Sequence, residues 1–215
     1  MKLCLIIPII TKGFLNKKEM QKRFEGYVRP DTEVDVFFVD YGPASIESRY
    51  DDVMAAPFVV KKAEWAEKNG YDAVVVSCMM DPGVKAAKEA LDIPVVGPKE
   101  AATQLAPILG DNYATIYPRG LTVLELKEDP EKTYRVLLEN AKKALDEGAQ
   151  VLILGCTGLT GLAKRLQKEL NVPVLEGEGL ALALAQLFVD VGLTQSKLTY
   201  GKPPKKKRVL PGYEE

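Results

Sequence analysis

The 215-residue chain contains no histidine. That absence removes Ser-His-Asp and Cys-His catalysis, His-ligated zinc and imidazole acid–base chemistry from consideration. Cysteine is scarce too, with Cys4, Cys78 and Cys156 as the only three. An odd count without a CxxC pair is not a disulfide framework and fits a reducing, cytoplasmic setting. Three scattered thiols are also too few for a tetrahedral all-cysteine zinc site, so no metal is expected. Net charge is nearly absent, at −1, which gives no reason to expect a nucleic-acid or anionic-membrane partner. No apolar run approaches the roughly 18 residues of a membrane span. The apolar start, Leu3 to Ile10, is interrupted by Pro8 and lacks a small-residue cleavage site. It reads as a first core strand rather than a signal peptide.

What the chain does have is an internal repeat. Gly70 to Val96 (GYDAVVVSCMMDPGVKAAKEALDIPVV) matches Gly148 to Leu175 (GAQVLILGCTGLTGLAKRLQKELNVPVL). Gly70 falls on Gly148, Cys78 on Cys156 and Gly83 on Gly161, and after one inserted residue Pro94 meets Pro173. Each copy is an apolar run, a cysteine where the run stops, a turn, a helical pattern and a second short strand.

The remaining sequence alternates strand-like and helical patterns, which predicts an α/β fold with mostly parallel sheet. Strands are expected over Lys2 to Ile7, Glu33 to Val39 and Tyr113 to Tyr117. Asn16 can cap a helix with Met20, Phe24 and Tyr27 inward. Tyr41 to Asp52 reads as a loop, followed by a helix bent or restarted at Pro57, with Val60, Ala63 and Ala66 on its inner face. Pro98 opens a helix to about Leu109, and Asp129-Pro130 caps another. Leu180 to Val191 is a very apolar last helix. The repeat predicts two pseudosymmetric lobes, residues 1–97 plus 177–205 and residues 98–176, with the active site in the cleft between them. Residues 206–215 form a basic tail. The run Pro204 to Val209 resembles a nuclear import signal, but lysine-rich tails of this kind are usually just solvated, and it is read that way.

Cys78 precedes the helix-start signal Asp81-Pro82, and after Cys156 a helix can be capped by Thr157 or Thr160. Unpaired N–H groups at a helix start favour a thiolate and are expected to pull its pKa below about 8.5. A lone cysteine in such a place is more often a buried, inert one, and Cys4, inside a strand, is read that way. Two cysteines at the same point of a repeated unit suggest instead two-base proton exchange. One thiolate removes a proton from one face of a stereocentre while the other thiol returns one to the opposite face.

These segments resemble the aspartate/glutamate/hydantoin racemase superfamily, most closely its hydantoin (allantoin) racemase branch. The resemblance is carried by GPASIE with YDD (Gly42 to Asp52), DAVVVSC..DPG (Asp72 to Gly83), PVVG..EAA (Pro94 to Ala102), GCTG with PVLEG (Gly155 to Gly177) and GLTQSK (Gly192 to Lys197). It implies a cofactor-independent racemase or epimerase, with Cys78 and Cys156 as paired acid and base. It also implies a small-molecule substrate (a hydantoin, an amino acid or a small dicarboxylate), a C-terminal segment returning to the first lobe, and a homo-oligomer. By family position Ser45 and Thr157 are expected polar contacts of the substrate. Pro8, Thr11, Ser77, Met79, Tyr117 and Gly158 are further expected contacts. Arg119, outside the family pattern, reads either as a carboxylate anchor or as a solvated loop arginine.

Two stretches depart from the family pattern. Its first strand typically ends in Asn-Pro-Asn-Thr, where this chain has Ile7-Pro8-Ile9-Ile10-Thr11. At the corresponding strand end of the second lobe, threonines give way to Tyr117-Pro118-Arg119. Cis–trans isomerisation of a small dicarboxylate stays open as an alternative, while the two retained cysteines argue against decarboxylation. The missing asparagines keep open a non-catalytic ligand-binding role.

Overall fold

A computed structural model describes residues 1–11, 24 and 26–212. Among the described residues, seven strands form two parallel sheets. The first has the order β2-β1-β3-β4, from β1 (Lys2–Ile7), β2 (Glu33–Phe38), β3 (Ala73–Val76) and β4 (Val95–Val96). The second has the order β5-β6-β7, from β5 (Tyr113–Ile116), β6 (Val151–Leu154) and β7 (Val174–Glu176). The middle strands β3 and β6 are buried along their whole length, which is why they read as unbroken aliphatic runs rather than alternating ones.

Six helices cover the sheets among the described residues: α1 (Arg49–Lys68), α2 (Val84–Ala90), α3 (Pro98–Leu109), α4 (Pro130–Asp146), α5 (Ala163–Leu170) and α6 (Gly177–Asp190). Two of them exchange sides. α3 follows the first sheet but packs on β6 and β7, and α6 follows the second sheet but packs on β1, β3 and β4. The two helices also pack against each other. Ala101 of α3 joins Ala181, Leu182 and Ala185 of α6 in one core cluster with Leu3, Leu5 and Val75. Ala102 and Ala106, on the next face of α3, join Val151, Ile153 and Leu175. Small side chains on both helices let them sit close to one another and to a sheet.

The repeat seen in the sequence is a structural repeat. Gly83 and its counterpart Gly161 both take positive φ, 71° and 100°, a conformation that costs a residue with a Cβ 1–2 kcal/mol or so, and glycine almost nothing. After α6 the chain returns along the first sheet. Thr194 Oγ1 donates to Asp92 O, and Gln195 Nε2 donates to Leu91 O and Ile93 O while its Oε1 accepts from Val95 N. Lys197 Nζ reaches the carbonyl oxygens of Lys88 and Glu89 at the end of α2.

Three sequence expectations need correction. α1 starts at Arg49, inside the expected loop, because Ser48 caps it by accepting from Asp51 N. It runs through Pro57 without a break, and Val59 rather than Val60 joins Ala63 and Ala66 on the buried face. The last helix begins at Gly177, three positions before the expected Leu180. The helix expected after Asn16, with Met20 inward, lies outside the described residues. Phe24 is buried, and the Tyr27 hydroxyl donates to Glu176 Oε2.

Candidate active site

All seven strands run parallel within their sheets, so their carboxyl ends gather at one edge of each sheet, the position where ligands bind in such folds. Ile7, Phe38 and Val76 are register partners or neighbours at that edge of the first sheet, and Ile116, Leu154 and Glu176 at that of the second. Pro8, Ser77 and Cys78 follow directly from the first set, and Tyr117, Gly155 and Cys156 from the second. They face one cavity of about 590 Å³, a size usual for a small-molecule site.

The cavity wall includes both cysteines and, of the expected contacts, Pro8, Ser77, Met79, Tyr117, Thr157 and Gly158. Three others lie outside it. Thr11 Oγ1 donates to Ala44 O at 2.7 Å, and Ser45 Oγ donates to Glu47 Oε1 at 2.9 Å. Both hold the 41–48 loop rather than face the cavity. Arg119 is exposed and does not line it. Sequence reasoning passed over Ile46, Glu47, Ser48 and Arg49 from that loop and the start of α1, Lys99 and Thr103 from α3, and Leu121 and Val123 beyond β5. It also passed over Glu178. The signal was present in the acidic pair of Glu176-Gly177-Glu178 directly after an apolar strand, where carboxylates are rarely buried without a task.

Both cysteines are partly buried. Cys78 Sγ accepts from Met80 N at 3.5 Å, and Cys156 Sγ from Gly158 N at 3.3 Å. The two contacts are equivalent, each from the residue two positions on. Both draw the thiol pKa down, as the sequence reading expected, but burial outweighs them. The Cys78 thiol is pushed up to about 12, and Cys156 is also raised, burial again being the largest cause. The expectation of two lowered thiols is therefore corrected. Its reason is visible in the backbone: α2 begins only at Val84 and α5 only at Ala163, so neither sulfur sits at an α-helix N-terminus. A short 3-10 turn, Thr157–Leu159, follows Cys156 instead. Asp81, expected to cap α2, turns away with φ 57° and accepts from Lys99 N and Glu100 N at the start of α3.

The two sulfurs influence each other. A charge on Cys156 raises the Cys78 pKa, and both thiolates would raise that of Tyr117. Like charges sharing one site resist simultaneous ionisation. With both values raised by burial, the pair rests as two thiols, and no more than one of them ionises at a time.

The family model for Asp/Glu/hydantoin racemase matches residues 17–116 and 106–185. The chain belongs to the Asp/Glu/hydantoin racemase family. It is 33% identical to a hydantoin racemase of Pseudomonas sp. (strain NS671), over all of this chain and 96% of that protein. Among solved structures, allantoin racemase from Pseudomonas fluorescens superposes with a TM-score of 0.89 at 26% identity, covering 97% of this chain and all of that one. Allantoin racemase from Klebsiella pneumoniae gives 0.88 at 27% identity, covering 98% of this chain and 96% of that one. Family membership identifies the chain as an enzyme of the racemase class, and its two parallel sheets are the fold of these racemases. No helix of the described residues is long and apolar enough to cross a membrane.

Proposed function

We propose that the protein racemises a 5-substituted hydantoin or a related cyclic ureide by two-base exchange of the α-proton between Cys78 and Cys156, without a cofactor. The observation that carries this reading is the equivalence of the two sulfurs. Each lies two residues past a buried middle strand, each accepts one N–H bond from two residues on, and both line one cavity.

The C5–H of a hydantoin lies next to a ring carbonyl, which takes up the charge when the proton leaves. The thiolate on one face accepts that proton, and the thiol on the other face donates its own to the same carbon. One S–H forms as the other breaks, and the enzyme is left with the two roles exchanged. Burial leaves both thiols protonated near neutral pH, and repulsion between two thiolates blocks the doubly ionised state. The one-proton state that this exchange needs is therefore reached by loss of a single proton. Tyr117, whose phenol stays protonated beside both sulfurs, supplies an uncharged wall.

The apolar side of the cavity supports a substrate with an apolar 5-substituent. Ile7, Ile9 and Ile46 come from one sheet edge and Leu121 and Val123 from the other. An amino acid or dicarboxylate is less well matched. The lining cations, Arg49 and Lys99, are exposed, whereas the buried ionisable group, Glu178, is acidic. A homo-oligomer is part of the same proposal, resting on the family resemblance, and light scattering is the direct check.

The test is incubation of single enantiomers of 5-benzylhydantoin, 5-methylhydantoin, allantoin, aspartate and glutamate in deuterium oxide. The proposal expects loss of optical rotation with α-deuterium uptake for the cyclic ureides, fastest for apolar substituents. Turnover of the amino acids alone would overturn it.

A further inference from the structure

Glu178 is 2% exposed, yet it lines the cavity. It belongs to the first turn of α6, the helix that crosses from the second sheet to the first. Its side chain contacts residues from both cysteine loops. Ser77, the neighbour of Cys78, donates its hydroxyl to Glu178 Oε1. Thr160, from the loop that follows Cys156, places its Oγ1 3.2 Å from Glu178 Oε2 and 2.8 Å from Thr157 O, so its single proton is shared between them. The loops also meet directly, because Thr157 Oγ1 donates to Ser77 O at 3.4 Å.

These four residues close a circuit. Ser77 is tied to Glu178 through its hydroxyl and to Thr157 through its carbonyl, and Thr160 joins Glu178 to Thr157. Cys78 and Cys156 are the chain neighbours of Ser77 and Thr157. We infer that Glu178 is a positioning residue: it clamps the two cysteine loops together and so sets the separation and facing of the two sulfurs. The assignment deepens the two-cysteine reading and rests on it.

A proton exchange between opposite faces of one carbon fixes where both sulfurs must stand, and a misplacement of about 1 Å costs on the order of 100-fold in rate. Each loop follows a short strand from a different sheet, and neither sheet hydrogen-bonds to the other. The register between the loops therefore depends on side chains, and a buried carboxylate with two acceptor oxygens can span both hydroxyls. Its charge acts separately, raising the Cys156 pKa.

Glu178→Gln and Glu178→Ala separate geometry from charge. A glutamine amide can accept from Ser77 through its oxygen and donate to Thr160 through its nitrogen, keeping the circuit but removing the charge. Thr160→Val opens the circuit from the other side and leaves Glu178 in place. Two readouts are taken on each folded variant: kcat and KM on the best hydantoin, and the iodoacetamide labelling rates of Cys78 and Cys156 against pH. Glu178→Ala and Thr160→Val are expected to lower kcat by about 10- to 100-fold with little change in KM, and to speed labelling of both cysteines. Glu178→Gln is expected to retain most of kcat and to shift only the Cys156 labelling profile to lower pH. Equal losses in Gln and Ala, or full activity in Ala, would overturn the clamp. The labelling rates need no substrate. If the unaltered protein racemises no hydantoin, the parent reading fails alone, and unchanged labelling in Glu178→Ala and Thr160→Val then counts against the clamp separately.

Discussion

The ring of Tyr117 lies directly on the Cα of Gly155. A Cβ built at Gly155 would come within 2.2 Å of Tyr117 Cε1 and 2.4 Å of Cζ. The ring belongs to the strand end next to β6, and Gly155 precedes Cys156, so the absence of a side chain lets an aromatic wall close over the sulfur.

Gly155→Ala should therefore displace either the ring or the Cys156 loop, since both cannot stay. The expected result is a fall in kcat/KM of at least about 10-fold, following from a sub-ångström to 1 Å shift of a reacting group. The double variant Gly155→Ala, Tyr117→Ala should recover part of that loss, because the clash goes with the ring. Steady-state kinetics on the three proteins decides the point.

Burial pushes the thiols of Cys4 and Cys78 up to about 12 from an ordinary value of 9.0. The folded chain thus holds protons that the unfolded chain releases above pH 9. Their contribution to stability is complete below that pH and is lost as the pH rises toward 12. Urea midpoints should decline over this window, and less steeply in Cys4→Ala, measured relative to its own value at pH 8. The activity profile runs the other way. kcat/KM reports the free enzyme's essential base, so it should climb with pH from neutrality until unfolding intervenes.

Asp81 holds the N-terminus of α3, accepting from Lys99 N at 3.0 Å and Glu100 N at 2.9 Å. Asp81→Ala should cost about 1 kcal/mol, the usual worth of an N-cap, read as a lowered urea midpoint at pH 7. Because α3 carries Lys99 and Thr103 into the cavity wall, KM should rise as well.

Much of this architecture could be read from the residues. The strands β1, β3 and β6 are aliphatic runs with no polar side to mistake, and Pro98 and Asp129-Pro130 mark helix starts that lie at those positions. The equivalence of Cys78 and Cys156 followed from the repeat alone. What sequence could not supply were relations between distant segments. Asp81-Pro82 carries a helix-start pattern, but the carboxylate serves α3 across the fold rather than its own helix. Proximity to a helix start suggested lowered thiol pKa values, whereas burial, which depends on both sheets closing around the cavity, reverses the direction. The acidic pair Glu176 and Glu178 after β7 hinted at a buried carboxylate, but its role was not legible because the partners of Glu178, Ser77 and Thr160, come from two loops far apart in sequence.

The central claim is that Cys78 and Cys156 each serve one face of the substrate carbon. It is tested by following racemisation and α-deuterium uptake from each pure enantiomer of the best hydantoin with Cys78→Ser and Cys156→Ser. Each substitution should lower racemisation by about 10²- to 10⁴-fold, the worth of a positioned acid or base. The enantiomer whose proton faces the replaced cysteine should lose its deuterium uptake. Racemisation at the unaltered rate in either variant would contradict the two-base account.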